Sequence, residues 1–171
     1  MLASTRQNTG FTLIEVLIAL FVLAIGLLGM ATLMMNSMQS SQGASQRSAA
    51  TVSAYDLAER LRANRTQAAV ANSPYAGNPA AAALPLCFTN LANTTGCNAA
   101  DTAALDRAQW WANLQINIPG AAATVQQVNT TTFCLVIFWQ EPGIAATASS
   151  PGNPCGVAPN GRAYYTMQVT L

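Results

Sequence analysis

Residues 11–35 read FTLIEVLIALFVLAIGLLGMATLMM, and their reading decides the fold. From Val16 to Met35 there are twenty residues without an ionisable group. At ~1.5 Å per residue a helix of that length spans ~30 Å, the hydrocarbon thickness of a bilayer. Leu, Ile, Val, Ala, Met, Phe and Gly occupy every face, so no polar stripe marks a surface helix. The stretch reads as a membrane span. Glu15 is its anomaly, because a carboxylate costs roughly 2.5–3.5 kcal/mol at the bilayer centre and less near the interface. Hydropathy leaves two readings open: Glu15 sits at headgroup level, or it awaits a cation supplied by another subunit.

Upstream, residues 1–9 form a short polar leader whose one charge is Arg6, followed by Gly10. A secretory signal has its apolar region before the cut and small residues at the cut. Here the small residue comes first, so cleavage after Gly10 would leave the apolar helix on the mature chain. The order Gly10-Phe11-Thr12-Leu13-Ile14-Glu15 resembles the class III signal of type IV prepilins, with glycine, phenylalanine and glutamate at fixed spacing before a long apolar run. Val16-Leu17-Ile18-Ala19-Leu20 and Ala24-Ile25-Gly26-Leu27-Leu28-Gly29 are similar to the PilV group of minor pilins.

The resemblance implies that a prepilin peptidase cuts between Gly10 and Phe11 and methylates the new amino group of Phe11. Glu15 would then pair with the N-terminal amine of a neighbouring subunit. A buried charge is tolerable only when paired, which agrees with that role. Many major pilins carry a proline in this helix; here there is none. Gly26 and Gly29 are the weak points, each costing ~1 kcal/mol relative to alanine, although small residues can equally mark close helix packing.

The chain has 171 residues, one domain plus an anchor. Charged residues make up 8%, seven arginines against six acids with no lysine, for a net charge of +1. That balance gives no electrostatic case for nucleic acid. Without histidine the chain lacks the commonest general base and metal ligand together. The four cysteines, Cys87, Cys97, Cys134 and Cys155, lie beyond the anchor; if that region is periplasmic, they read as two disulfides. A local Cys87–Cys97 bridge is natural, with Cys134–Cys155 as companion, but four cysteines permit three connectivities. No Cys-x-x-Cys knuckle supports a zinc site. The short leader is the side expected in the cytoplasm, although Arg6 and Arg47 give a weak charge asymmetry.

Beyond Met35 a helical pattern resumes from Arg47. Ala50, Ala54, Leu57, Ala58 and Leu61 recur at spacings of three and four, as a core-packing stripe. Asp56 and Arg60 stand four apart as a helix-surface pair, and the arginines read as a solvated face. The helix is expected to run to about Ala71, giving one rod of ~90 Å from Phe11 at ~1.5 Å per residue. Residues 73–83, with Pro74, Gly77 and Pro79, read as a surface loop, and residues 84–96 as irregular. Asp101-Thr102 can cap a short helix, residues 103–113, with Leu105, Ala108, Trp111 and Ala112 facing a core. The Trp110-x-x-x-Leu114 and Pro119-Gly120 pattern also resembles the PilV group. Strands follow at residues 124–128, at residues 133–140 (FCLVIFWQ, apolar enough to be central and covered on both faces) and at residues 163–171. Glu141-Pro142-Gly143 stops the second strand, and residues 144–159 form a loop that Cys134–Cys155 would pin.

These readings give an α+β chain of the type IV pilin fold: a long N-terminal helix, half membrane anchor, packed on a small antiparallel sheet with disulfide-pinned loops. Its parts are a leader (1–10), a membrane and assembly segment (11–35), a continuing helix (36–72) and a globular β domain (73–171). An enzyme is disfavoured, with no G-x-S-x-G, no glycine-rich phosphate loop, and Asp106 and Glu141 as isolated carboxylates. Tandem Trp110-Trp111 reads as core packing before a sugar platform. Uptake of DNA would need a basic patch such as Arg60, Arg62 and Arg65, which are expected near a packing interface. The resemblance implies a minor pilin of PilV type in a type IVa pilus, priming assembly in a minor-pilin tip complex and supporting pilus biogenesis, twitching motility and adhesion. Its partners would be other minor pilins, the major pilin, the prepilin peptidase, the inner-membrane assembly platform and a large tip adhesin, with no cofactor, metal or nucleic acid. It would reside in the inner membrane with its C-terminal domain periplasmic, then in the pilus. The rival is a minor pseudopilin of a type II secretion system, which shares G-F-T-L-I-E.

Overall fold

A computed structural model describes residues 10, 12–81, 83–89, 96–141, 144, 155 and 161–171. The leader (1–9), Phe11, and most of the expected stop and loop at 142–160 lie outside the described residues. The chain divides between Ser41 and Gln42 into two compact units, and each is described by itself. Helix α1, Leu13–Ala63, contributes to both.

In the first unit α1 carries Leu, Ile, Val, Phe and Met on all sides, and every described residue is exposed. Its most apolar 18 residues have a mean hydropathy of 2.7, and none of that window is buried. By length and composition it is a helix able to cross a membrane. In water such a surface is untenable, so bilayer or protein must cover it.

The second unit is an α+β domain. Along α1 the residues Ala50, Ala54, Leu57, Ala58 and Leu61 are all buried, the 3-4 periodicity forming one wall of the core. The helix stops at Ala63, short of the expected Ala71. Asn64 (φ −110°, ψ 48°) leaves helical geometry while its side-chain amide donates to the Ala99 carbonyl at 2.8 Å. A second turn, α2 (Arg65–Ala68), follows, and Asn72 (φ 57°) takes the left-handed conformation that asparagine tolerates. A 3-10 turn, Pro79–Ala81, and a short helix, α3 (Leu86–Thr89), interrupt the expected loops.

Helix α4, Ala99–Asn117, is longer than residues 103–113 and begins earlier. Asn98, not Asp101, is the cap: its Oδ1 accepts from the Asp101 N–H at 2.8 Å, leaving Asp101 in the first turn, where its charge suits the helix dipole. The expected helical phase was also displaced. Ala103, Trp110 and Leu114 face the core, Leu105, Ala108 and Trp111 are half-buried, and Ala112 is exposed.

Strands β1 (Ala122–Asn129), β2 (Thr132–Trp139) and β3 (Ala163–Thr170) form an antiparallel sheet in sequence order. Asn129 Oδ1 accepts from the N–H and hydroxyl of Thr131 at 2.9 and 3.1 Å, shaping the β1–β2 turn. The central strand is covered on both faces, as a near-continuous apolar run requires. Phe133, Leu135, Ile137 and Trp139 join the main core with α1 and α4; Cys134 and Val136 join Cys155, with Phe138 packed alongside, in a second cluster. Disulfides join Cys87 to Cys97 and Cys134 to Cys155, with Cα separations of 5.1 and 5.6 Å. At Gly77 (φ 102°) the chain bridges the edge of β1, exchanging hydrogen bonds with Val125 at 2.7 and 3.1 Å.

Candidate processing and assembly site

At the head of α1 the Thr12 carbonyl accepts from the amides of Glu15 (3.1 Å) and Val16 (3.4 Å), closing the first turn. Glu15 therefore sits where unpaired backbone N–H groups favour an anion. It shares one side of α1 with Val16, Ala19, Leu20 and Leu23. From residue 7 to residue 46 it is the one charged side chain in the sequence, and among the described residues it makes no salt bridge.

Gly10 is exposed, with nothing within 4 Å of where a β-carbon would stand. Among the described residues nothing demands glycine there. The same holds for Gly26 and Gly29, whose β-carbon positions face open space.

In the second unit most charges are spent internally. Arg60 donates to Asp56 (3.1 Å), Asp106 (3.0 Å) and Gln109 (3.3 Å). The expected solvated face of arginines is thus corrected at Arg60, which is largely buried; Arg62 is half-exposed and paired with Glu59 at 2.6 Å. Burial alone would lower the Arg60 pKa, but hydrogen bonds and charge from Asp56 and then Asp106 outweigh it and raise it. Asp106 also accepts the Tyr75 hydroxyl at 2.5 Å. Burial, reinforced by that bond, pushes the Tyr75 phenol well above its ordinary value. Asp106 is therefore a structural junction of α1, α4 and the 73–78 segment, not an isolated carboxylate. Glu141, the other one, pairs with Arg47 at 2.9 Å.

Arg107 donates to the carbonyls of Pro74 (2.8 Å) and Asn78 (2.7 Å), and burial lowers its pKa. Arg162 lies 5.4 Å over the Phe138 ring. Trp110 is buried and its Nε1 donates to the Ser53 carbonyl at 2.7 Å; Trp111 packs half-buried on the core. Of the three arginines considered for DNA, two are engaged with acids. Among the described residues no group of three His, Cys, Asp or Glu could hold a metal.

Two junctions escaped the sequence reading: Gly43–Glu141–Arg47 and Tyr75–Asp106–Arg60. A lone glycine inside a long helical pattern was a usable signal for the first. Nothing local announced the second.

Residues 5–31 match the family described as the prokaryotic N-terminal methylation motif. The N-terminus is similar to a prepilin-type methylation motif. With the long apolar helix and small antiparallel sheet, the motif supports a type IV pilin-like or pseudopilin-like prepilin. Proteins bearing this prepilin motif are structural, and the motif implies processing by a prepilin peptidase and assembly with other pilins. It also fits anchoring in the inner membrane. No curated protein and no solved structure matches the chain.

Proposed function

We propose that this chain is a minor pilin of the PilV type, built into a type IVa pilus by α1. The observation that carries the reading is Gly10-Phe11-Thr12-Leu13-Ile14-Glu15 at the head of an apolar helix whose single early charge is Glu15. Hydrolysis of the Gly10–Phe11 peptide bond frees the amine of Phe11, to which the peptidase then transfers a methyl group from a methyl donor in exchange for a proton. That cation, in an apolar setting, finds its counter-charge in Glu15 of the adjoining subunit. The subunit primes assembly with other minor pilins at the tip, exchanging bilayer for helix contacts, and supports motility and adhesion through the pilus. The disulfides suit a domain exposed to an oxidising compartment.

Intact mass and N-terminal sequencing of the chain from membranes and from sheared filaments test this. A chain beginning at N-methylated Phe11, lacking four hydrogens for two disulfides, is the expected result. A chain still beginning at Met1 beside an active prepilin peptidase overturns it. Deletion separates the pilus from the pseudopilus: surface pili are lost in the first case, enzyme secretion with normal pili in the second.

A further inference from the structure

Methionine is concentrated in one place on this chain. Of its six methionines, Met30, Met34, Met35 and Met38 fall within nine residues of α1, while residues 11–29 of the same apolar run have none. At ~100° per helical residue, Met30, Met34 and Met38 lie within ~80° of one another around the axis, and Met35 widens the sector to ~140°. One side of α1 thus carries all four. They are 71%, 69%, 66% and 59% exposed. Leucine would serve equally well as apolar surface; what the thioether adds is a sulfur that can be oxidised.

The other soft groups are spent or shielded. All four cysteines are in disulfides, so no free thiol remains to react first. Trp110 and Trp139 are buried, and Met167 is half-buried against the core. Depth along α1 then sets an order. If Val16 to Met35 fills the ~30 Å of hydrocarbon, Met34 and Met35 stand at its far edge. Met38 lies ~4.5 Å beyond that edge and Met30 ~7.5 Å inside it. An oxidant arriving through water meets the first three before Met30.

We propose that Met34, Met35 and Met38, with Met30 behind them, are an oxidation site through which hypochlorous acid and related two-electron oxidants stop α1 from packing against its neighbours. The neighbours rest on the pilin reading above; the site does not. The thioether sulfur is oxidised and hypochlorous acid is reduced. A sulfur–oxygen bond forms, the oxygen–chlorine bond breaks, chloride departs and the hydroxyl proton passes to water. Each sulfoxide is polar and must shed its water when α1 is buried, which disfavours the packed state. Methionine sulfoxide reductases are the class of enzyme that reverses the change.

The test exposes cells carrying the full chain and its own assembly machinery to hypochlorous acid. Peptide masses are then read from membranes and from sheared filaments. Oxygen is expected first at Met38, Met35 and Met34, later at Met30, with Met167 spared. The oxidised chain should be depleted about tenfold or more in filaments relative to membranes, as burial of unbonded polar groups requires. With Met30→Leu, Met34→Leu, Met35→Leu and Met38→Leu together, the filament share should not change with the dose. Met34→Gln, Met35→Gln and Met38→Gln together place polar groups there without oxidant; this variant should stay in membranes and fall about tenfold in filaments. Oxygen at Met167 as early as at Met38, oxidised chain undiminished in filaments, or a leucine variant lost as the parent is lost overturns the proposal. Absence of the untreated parent from filaments contradicts the pilin reading instead, and the masses from membranes still decide the site.

Discussion

Glu141 reaches back from the end of β2 onto Gly43 of α1, where a β-carbon would stand 2.5 Å from its Oε1. The other oxygen, Oε2, holds Arg47 at 2.9 Å one turn along. Alanine at position 43 gains ~1 kcal/mol of helix propensity and loses at most ~1 kcal/mol as the carboxylate swings away from a solvent-facing arginine. Gly43→Ala is therefore expected to be near neutral. Gly43→Leu must displace Glu141 from its seat and should cost ~1–3 kcal/mol. Thermal unfolding of the full chain in detergent compares them, and equal losses would contradict the close approach.

Tyr75 gives the domain an alkaline limit. Its folded pKa is raised, first by burial and then by the bond to Asp106. The stability it contributes is intact below the unfolded value of about 10. Above that pH the unfolded phenol ionises while the folded one keeps its proton, so stability falls by ~1.4 kcal/mol per pH unit. Denaturation midpoints measured from neutral pH to about 11 should show that slope, and Tyr75→Phe should remove it. A slope unchanged in Tyr75→Phe would place the titrating group elsewhere.

Each disulfide can be opened by a paired Cys→Ser change. The bridged cysteines lie 10 and 21 residues apart, Cys87–Cys97 and Cys134–Cys155. Loop-closure entropy assigns ~3 kcal/mol to each, with ~0.6 kcal/mol more to the longer loop. Losing Cys134–Cys155 should cost still more, because serine hydroxyls would enter the buried cluster with Val136. Chemical denaturation without reductant gives the ranking; the reverse order would refute it.

Gly10 has open space around it. Gly10→Leu is accordingly expected to leave stability unchanged and processing abolished. Intact mass then shows a chain retaining its leader, near 17.8 kDa. Normal cleavage of the variant would remove the basis for the signal assignment.

Glu15→Val should insert into the membrane as well as the parent, or better, since a carboxylate costs up to ~3 kcal/mol in hydrocarbon. Its recovery in sheared filaments should nevertheless drop sharply. Immunoblots of membrane and filament fractions make the comparison, and equal incorporation would deny Glu15 a pairing role.

What was legible in the sequence was periodic or motif-like. The 3-4 stripe from Ala50 to Leu61 and the apolar run of β2 each carry their own pattern, and each marks a buried surface. What escaped depends on distant residues. No breaker lies between Leu61 and Ala71, and α1 ends at Ala63 beside Asn64, whose side chain bonds Ala99, 35 positions away. Asp106 looked solitary because Arg60 is 46 positions distant, and Glu141 because Arg47 is 94 distant. At α4 the cap is Asn98, three residues before Asp101, so the helix begins earlier than residues 103–113 and presents a different core face. Around Gly10 and Glu15 the motif was plain, since its logic is spacing and not tertiary contact.

The pairing of charge within the second unit has a consequence for its behaviour in bulk solution. With Arg60, Arg62 and Arg47 bound to acids and Arg107 to carbonyls, the domain approaches a neutral colloidal particle whose hydration rests on amides and hydroxyls. Such particles lack the long-range repulsion that keeps proteins dispersed, and added electrolyte has little to screen. Crowding, not ionic strength, then governs when copies come together, so the domain should behave alike in dilute and saline surroundings.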